Sequence, residues 1–432
     1  MGMSEIVAKG VAMVGGAAIM MRRFGATTDK PAFGPEADVP EAKAQGIMTL
    51  KMPTAQGFAP GKTPNAAPGL KVNAFATGLD HPRWMEVMPN GDVLVAEAMS
   101  TPGGIRTPFD YAIVATMKRA KATGVSANRI TRLSDADGDG IAETQETFLT
   151  GLNQPFGMAL KGETFYVGNT DGIVTYNYDP ATGNVSGEGK KITDFKPNGH
   201  WTRSLLFNGD KSKLYAGVGS LSNIGDKGMD LEEGRAAIYE VNPETGDARI
   251  FAGGLRNAVG TAWEPTTGAL WTVVNERDGL GDETPPDYLT SVQDGGFYGW
   301  PYCYWGQTVD DRVEQDPALV ATAIKPDYAL GGHTASLGLC WMPEGTLPGF
   351  PDGMVVGQHG SWNRSTLSGY AVILVPFEDG KPSGPPRDIL KGFLAPDEKV
   401  SYGRPVGVCI GPDGSLLVAD DVADAIWRVT GA

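Results

Sequence analysis

Apolar residues in this chain fall in short runs broken by Gly, Pro, Asn and Asp, the rhythm of strands and turns rather than of amphipathic helices. From Leu70 a unit recurs: an apolar strand, a Gly-Leu turn, a polar cluster, a short strand, a Pro/Asn/Asp-Gly turn and another strand. Ala74-Phe75-Ala76-Thr77-Gly78-Leu79 opens the first copy, and Pro89-Asn90-Gly91-Asp92 turns it. The polar clusters of the later copies are Asn153-Gln154, His200-Trp201-Thr202-Arg203, Arg256-Asn257, His333-Thr334 and Gly403-Arg404. Six degenerate copies of a four-strand unit predict an all-β fold, a six-bladed β-propeller over residues 70–432, with an N-terminal segment, 1–69, ahead of it. The last strand, Ala425-Ile426-Trp427-Arg428-Val429, has no successor, and Lys71–Thr77 precedes the first full blade. Pairing the two closes the ring and removes both free edges.

Equivalent positions of all blades converge on the axis of a propeller. Arg83, Gln154, His200, Arg203, Arg256, Asn257, His333, Thr334 and Arg404 are therefore expected to ring one central cavity. Insertions at 99–127 and 278–330 loosen the period, and in propellers such insertions usually lie on the face that carries the site.

Composition narrows the partners. Sixty Gly and 31 Pro with 20% charged residues fit many tight turns and few surface helices. A net charge of −15 excludes nucleic acid, which needs a basic face, and is compatible with a small neutral substrate. Cys303, Cys340 and Cys409 allow one disulfide at most, match no zinc spacing, and read as small buried hydrophobes. In the N-terminal segment the apolar run Val11–Met21, followed by Arg22-Arg23, reads as an export or anchor segment or as a peripheral helix. Residues 25–70, rich in Pro, Ala and Gly, read as an extended lead-in.

Gly199–Phe207 carries the sharpest chemistry. His200 can act as a base near neutral pH, and Arg203 can hold an anion or a developing negative charge. A second motif stands apart: Asp135-Ala136-Asp137-Gly138-Asp139-Gly140 with Glu146 at the twelfth position fits a calcium loop. Strand-like residues flank it, so it reads as a calcium hairpin with a structural ion, or as a metal-free Asp/Gly turn.

Gly151–Gly157, His200–Phe207, Gly254–Asn257, Asn275–Glu283 followed by Gly296–Pro301, and Gly403–Pro405 resemble, in order and spacing, motifs of the soluble quinoprotein sugar dehydrogenases. These enzymes bind pyrroloquinoline quinone (PQQ), and the likeness, over about residues 70–430, is greatest to their glucose/sorbosone group. The resemblance implies a sugar or sugar aldehyde substrate, PQQ with Ca2+, a separate electron acceptor (cytochrome or quinone), and an extracytoplasmic, periplasmic location. Membrane contact is expected only through the N-terminal segment. It implies His200 as the base and Arg256 as the donor to the quinone oxygen. Gln154 and Asn257 would line the cofactor rim; Thr334, Arg404 and Arg364 would meet its carboxylates. Where the glucose enzymes offer carbonyls of a Gly-Pro pair to calcium, this chain reads Glu276-Arg277-Asp278-Gly279. Arg277 is then expected on the cofactor, with Glu276 or Asp278 on the metal. Trp201 beside the base and the insertion at 302–330 suggest a substrate pocket unlike the glucose type. A metal-dependent sugar lactonase and a non-catalytic binding platform are the other classes on such a ring. The axial Arg, His, Gln and Asn favour the dehydrogenase.

Overall fold

A computed structural model describes residues 32–44, 49–102 and 107–432. The apolar run at 11–21 lies outside them. Six four-stranded antiparallel meanders form the blades, at 82–149, 158–194, 205–253, 258–332, 336–391 and 405–431. The sixth blade takes its outer strand from the start of the chain: Ala425–Gly431 pairs with Leu70–Thr77, from Ala425↔Thr77 to Gly431↔Leu70. The ring is closed as the sequence pattern predicts.

Six apolar clusters fill the junctions between neighbouring blades, because each sheet buries both faces. Leu347, Val372 and Leu374 of blade five meet Leu416, Val418 and Val429 of blade six, for example. Close approach of the innermost strands depends on glycine. A Cβ on Gly338 would lie 2.0 Å from the Val406 carbonyl oxygen of the next blade.

The lead-in lies along the outside of the ring. Phe33–Gly34 adds to the outer strand of blade four, and Asn65–Ala66 to that of blade five. Of the two insertions, the first carries the helix Pro108–Arg119, started by a capping box between Thr107 and Asp110. The second is pinned by Arg277, as described below. No described helix is long and apolar enough to cross a membrane.

Candidate active site

Two sets of loops meet at one end of the axis: those entering each innermost strand, and those joining the second and third strands of each blade. All four histidines of the chain, His81, His200, His333 and His359, lie in them. His200 precedes the innermost strand of blade three. Its Nδ1 lies 2.9 Å from the Ser220 carbonyl, which only accepts, so Nδ1 carries the proton and Nε2 keeps a lone pair. The residue is half-buried, and its pKa is pushed down to about 3, first by burial and then by the charge of Arg256. Gly219 makes room for it: a Cβ there would lie 2.4 Å from Asn257 Oδ1 and 2.6 Å from His200 Cβ.

Arg256 is buried and held on several sides, donating to the carbonyls of Asn223, Asn275 and Glu276 and to Asn223 Oδ1 at 3.0 Å. Asp278 stands 3.5 Å from it and 3.3 Å from His333 Nδ1. His333 has acceptors at both ring nitrogens, since Nε2 is 2.8 Å from the Gly281 carbonyl. Burial opposes its charge, but the hydrogen bond to Asp278 prevails and raises its pKa.

A second cluster gathers around Asp421, which is fully buried between blades six and one. It accepts from Arg83, Arg404 (3.0 Å) and His359 Nε2 (2.7 Å), and His81 Nε2 lies 3.2 Å away. Burial works against its ionisation, yet Arg404 and the two histidines hold its carboxyl well below the usual range. The histidines stay neutral: burial pushes His81 down to about 3 and His359 to about 4. Two guanidinium groups thus face one carboxylate. Arg83 also lies over the ring of Trp201 at 5.6 Å.

Several expected site residues turn elsewhere. Arg203, fully buried, donates to the carbonyls of Lys196, His200 and Thr202, so it braces the His200 loop instead of meeting a cofactor. Arg277 is a correction of the same kind. Its guanidinium holds the Pro301 and Cys303 carbonyls, Asp310 and Glu276, and is inaccessible. Arg364 donates to the carbonyls of Thr366, Asp282 and Gly332 and pairs with Glu283. Thr334 binds Asp287 and Ser336. Gln154, at φ 48°, donates to the Met99 carbonyl. Glu276 Oε2 is taken by Arg277, and its Oε1 is buried without a partner.

In the Asp135 loop the fourth carboxylate is Glu143, not Glu146. Asp135, Asp137, Asp139 and Glu143 place ligand atoms within 4.8 Å of one another, the one such group among the described residues. Glu146 has already entered a strand and pairs with Arg132 at 3.1 Å. The loop joins the third and fourth strands of blade one, at the far end of the axis.

Asn223, His359 and Asp421 were not legible as site residues from the entry turns. They follow the second strands of their blades, after Leu214–Val218, Gly353–Gln358 and Leu416–Asp420, and that equivalence was the available signal. A groove of about 320 Å³ beside Lys213, Glu240, Asp247 and Arg249 borders none of these residues. The three cysteines are free thiols.

Fold and site together define a six-bladed propeller whose axis carries buried arginines and histidines at one end. The chain belongs to the TrAA12-like family, whose model matches residues 64–432. A pyrroloquinoline quinone-dependent pyranose dehydrogenase of Coprinopsis cinerea is 24% identical over 428 residues, covering 84% of this chain and 54% of that protein. The holo PQQ domain of pyranose dehydrogenase from the same fungus superposes with a TM-score of 0.69 at 21% identity, covering 88% of this chain and 99% of that one. A calcium structure of the Trichoderma reesei family AA12 enzyme gives 0.68 at 22%, covering 89% and 98%. The matches span little more than half the length of the curated relatives.

Proposed function

We propose that this chain is a quinoprotein oxidoreductase that oxidises a sugar or sugar aldehyde of the pyranose or sorbosone type, with PQQ and Ca2+ as cofactors. The observation that carries the reading is a neutral imidazole at the same end of the axis as two groups of buried cations. The site fits the cofactor's chemistry. Arg83 Nε, His81 Nδ1 and Asn257 Oδ1 are buried without partners, and two arginines against Asp421 leave one positive charge for an anionic group. Relatives named as PQQ-dependent pyranose and sugar dehydrogenases support the assignment.

Bound there, the quinone supplies an electrophilic carbonyl that accepts a hydride equivalent. The chain supplies the rest. His200 Nε2 takes the substrate hydroxyl proton, its tautomer fixed by the Ser220 carbonyl. Arg256, immobilised by Asn223 and the Glu276 carbonyl, stabilises negative charge that grows beside it. Arg83 and Arg404 orient an anionic edge. Asp278, whose side chain keeps 13% of its surface open, is the carboxylate on which a metal at the quinone would draw; a structural Ca2+ is assigned to the Asp135 loop, with Glu143 in place of Glu146.

Electrons leave to a separate acceptor, a cytochrome or a quinone. The same reading carries a periplasmic or other extracytoplasmic location, with membrane contact only through residues 1–69. A lactonase is not favoured, because Arg, His and Asn dominate the axial set and the named relatives are PQQ-dependent sugar and pyranose dehydrogenases.

The test is metal-stripped protein given PQQ and Ca2+ separately and together, with dye reduction followed over aldoses, ketoses and sorbosone. Quinone-dependent turnover is expected. Ca2+-dependent lactone hydrolysis without quinone binding would overturn the assignment.

A further inference from the structure

Directly under the site the axis is closed by one apolar side chain from each blade: Trp84, Phe156, Trp201, Val259, Leu337 and Val406. Five of the six are buried; Trp201 alone keeps part of its surface open. It is held like a fixed plate. Phe156 meets it edge-on at 5.9 Å and 88°, and the Arg83 guanidinium lies 5.6 Å from its centroid. It follows His200 directly, and Arg83 leads from it to Asp421 and Arg404. Of these six side chains the one that is partly open thus adjoins the base in sequence and a cation in space.

We infer that Trp201 is the floor of the cofactor pocket, the surface on which the planar quinone stacks. The inference rests on the quinoprotein reading and adds a binding residue to it. Its chemistry is that of a flat, conjugated, anionic ring system. The indole offers dispersion and π-contact over the face, while Arg83 and Arg404 hold the charged edge. A sugar ring is the competing occupant. It needs an aromatic face too, but it has no anionic edge for two buried arginines to meet.

The experiment is equilibrium dialysis of PQQ against calcium-loaded wild type, Trp201→Phe and Trp201→Leu, together with the visible absorption of the bound quinone. Thermal melting of each variant without quinone checks that the ring still folds. The expected result is a graded loss of quinone affinity from Trp to Phe to Leu, with a roughly ten-fold or greater weakening for Leu and a shifted quinone band in both variants. Variants that fold and bind quinone as wild type does, with only the sugar KM raised, would overturn the inference and leave the quinoprotein reading in place. Wild type that retains no quinone would overturn both.

Discussion

His200 keeps its lone pair because a backbone carbonyl fixes the tautomer and burial removes the proton that water would give it. Replacing it with Gln should cut kcat by about 10²–10⁴-fold while PQQ binding by equilibrium dialysis stays near wild type. The buried histidines also set an acid limit on stability. His81, His200 and His359 are neutral in the fold, at about 3, 3 and 4, whereas the unfolded chain takes up protons near 6.5. The unfolded state thus binds more protons below pH 6.5, so stability present above that pH is lost as pH falls toward 4. His333, with its pKa raised, and the carboxyls of Glu86, Asp287 and Asp420, raised to about 8, 6 and 6, take up protons in the fold and oppose that loss. The histidine contribution is therefore read by difference: in the metal- and quinone-free protein, lowering the pH from 7 to 5 should cost His81→Gln less stability than wild type, by at most ~1.4 kcal/mol per pH unit. An equal cost in both would contradict the neutral assignment of His81. At this scale the sequence showed which residues carry charge but not where each guanidinium points. Arg256 and Arg404 keep to the axis, whereas the forks of Arg203 and Arg277 close on carbonyls of their own loops.

The insertion between the third and fourth strands of blade four is fixed by one carboxylate between two arginines. Asp310, fully buried, binds Arg277 at 3.1 Å and accepts from both Arg312 Nε and Nη2, and Arg312 donates on to the Asp278 carbonyl at 3.0 Å. Asp310→Asn leaves buried Arg277 with Glu276 as its remaining anion. A loss of about 1–3 kcal/mol is expected in chemical denaturation, with a raised sugar KM. Gly219→Ala is the matching test on blade three. The added methyl meets His200 and Asn257, so turnover should fall sharply while the melting temperature changes far less. The strands and their entry turns were legible because their period is short and their turn residues are explicit. Of the loops after the second strands, Asn275–Glu283 and Arg364 were legible, but Ser220, Asn223, His359 and Asp421 were not, since they share a position in the blade but no residue type. The Asp135 loop was found from its spacing; its fourth ligand was not, because the chain re-enters a strand at Thr144 and draws Glu146 away.

At the scale of the molecule, everything on the axis depends on closure by Leu70–Thr77. A chain lacking residues 1–77 would expose the edge of Ala425–Gly431, and broad, non-cooperative melting with aggregation is expected in place of a single transition. Closure, blade number and the insertion-bearing face were all legible, because six imperfect repeats with one unpaired strand at each end admit few arrangements. What a repeat pattern does not contain is the chemistry at its centre, which arises only when six different loops meet. The most direct measurement of that chemistry is a single turnover without dye. Wild type and His200→Ala are loaded with equal PQQ and Ca2+, a pyranose or sorbosone substrate is added, and the quinone absorption is followed. The account predicts rapid conversion to the reduced spectrum in wild type and essentially none in the variant. Equal reduction in both, or none in either with the quinone demonstrably bound, would contradict it.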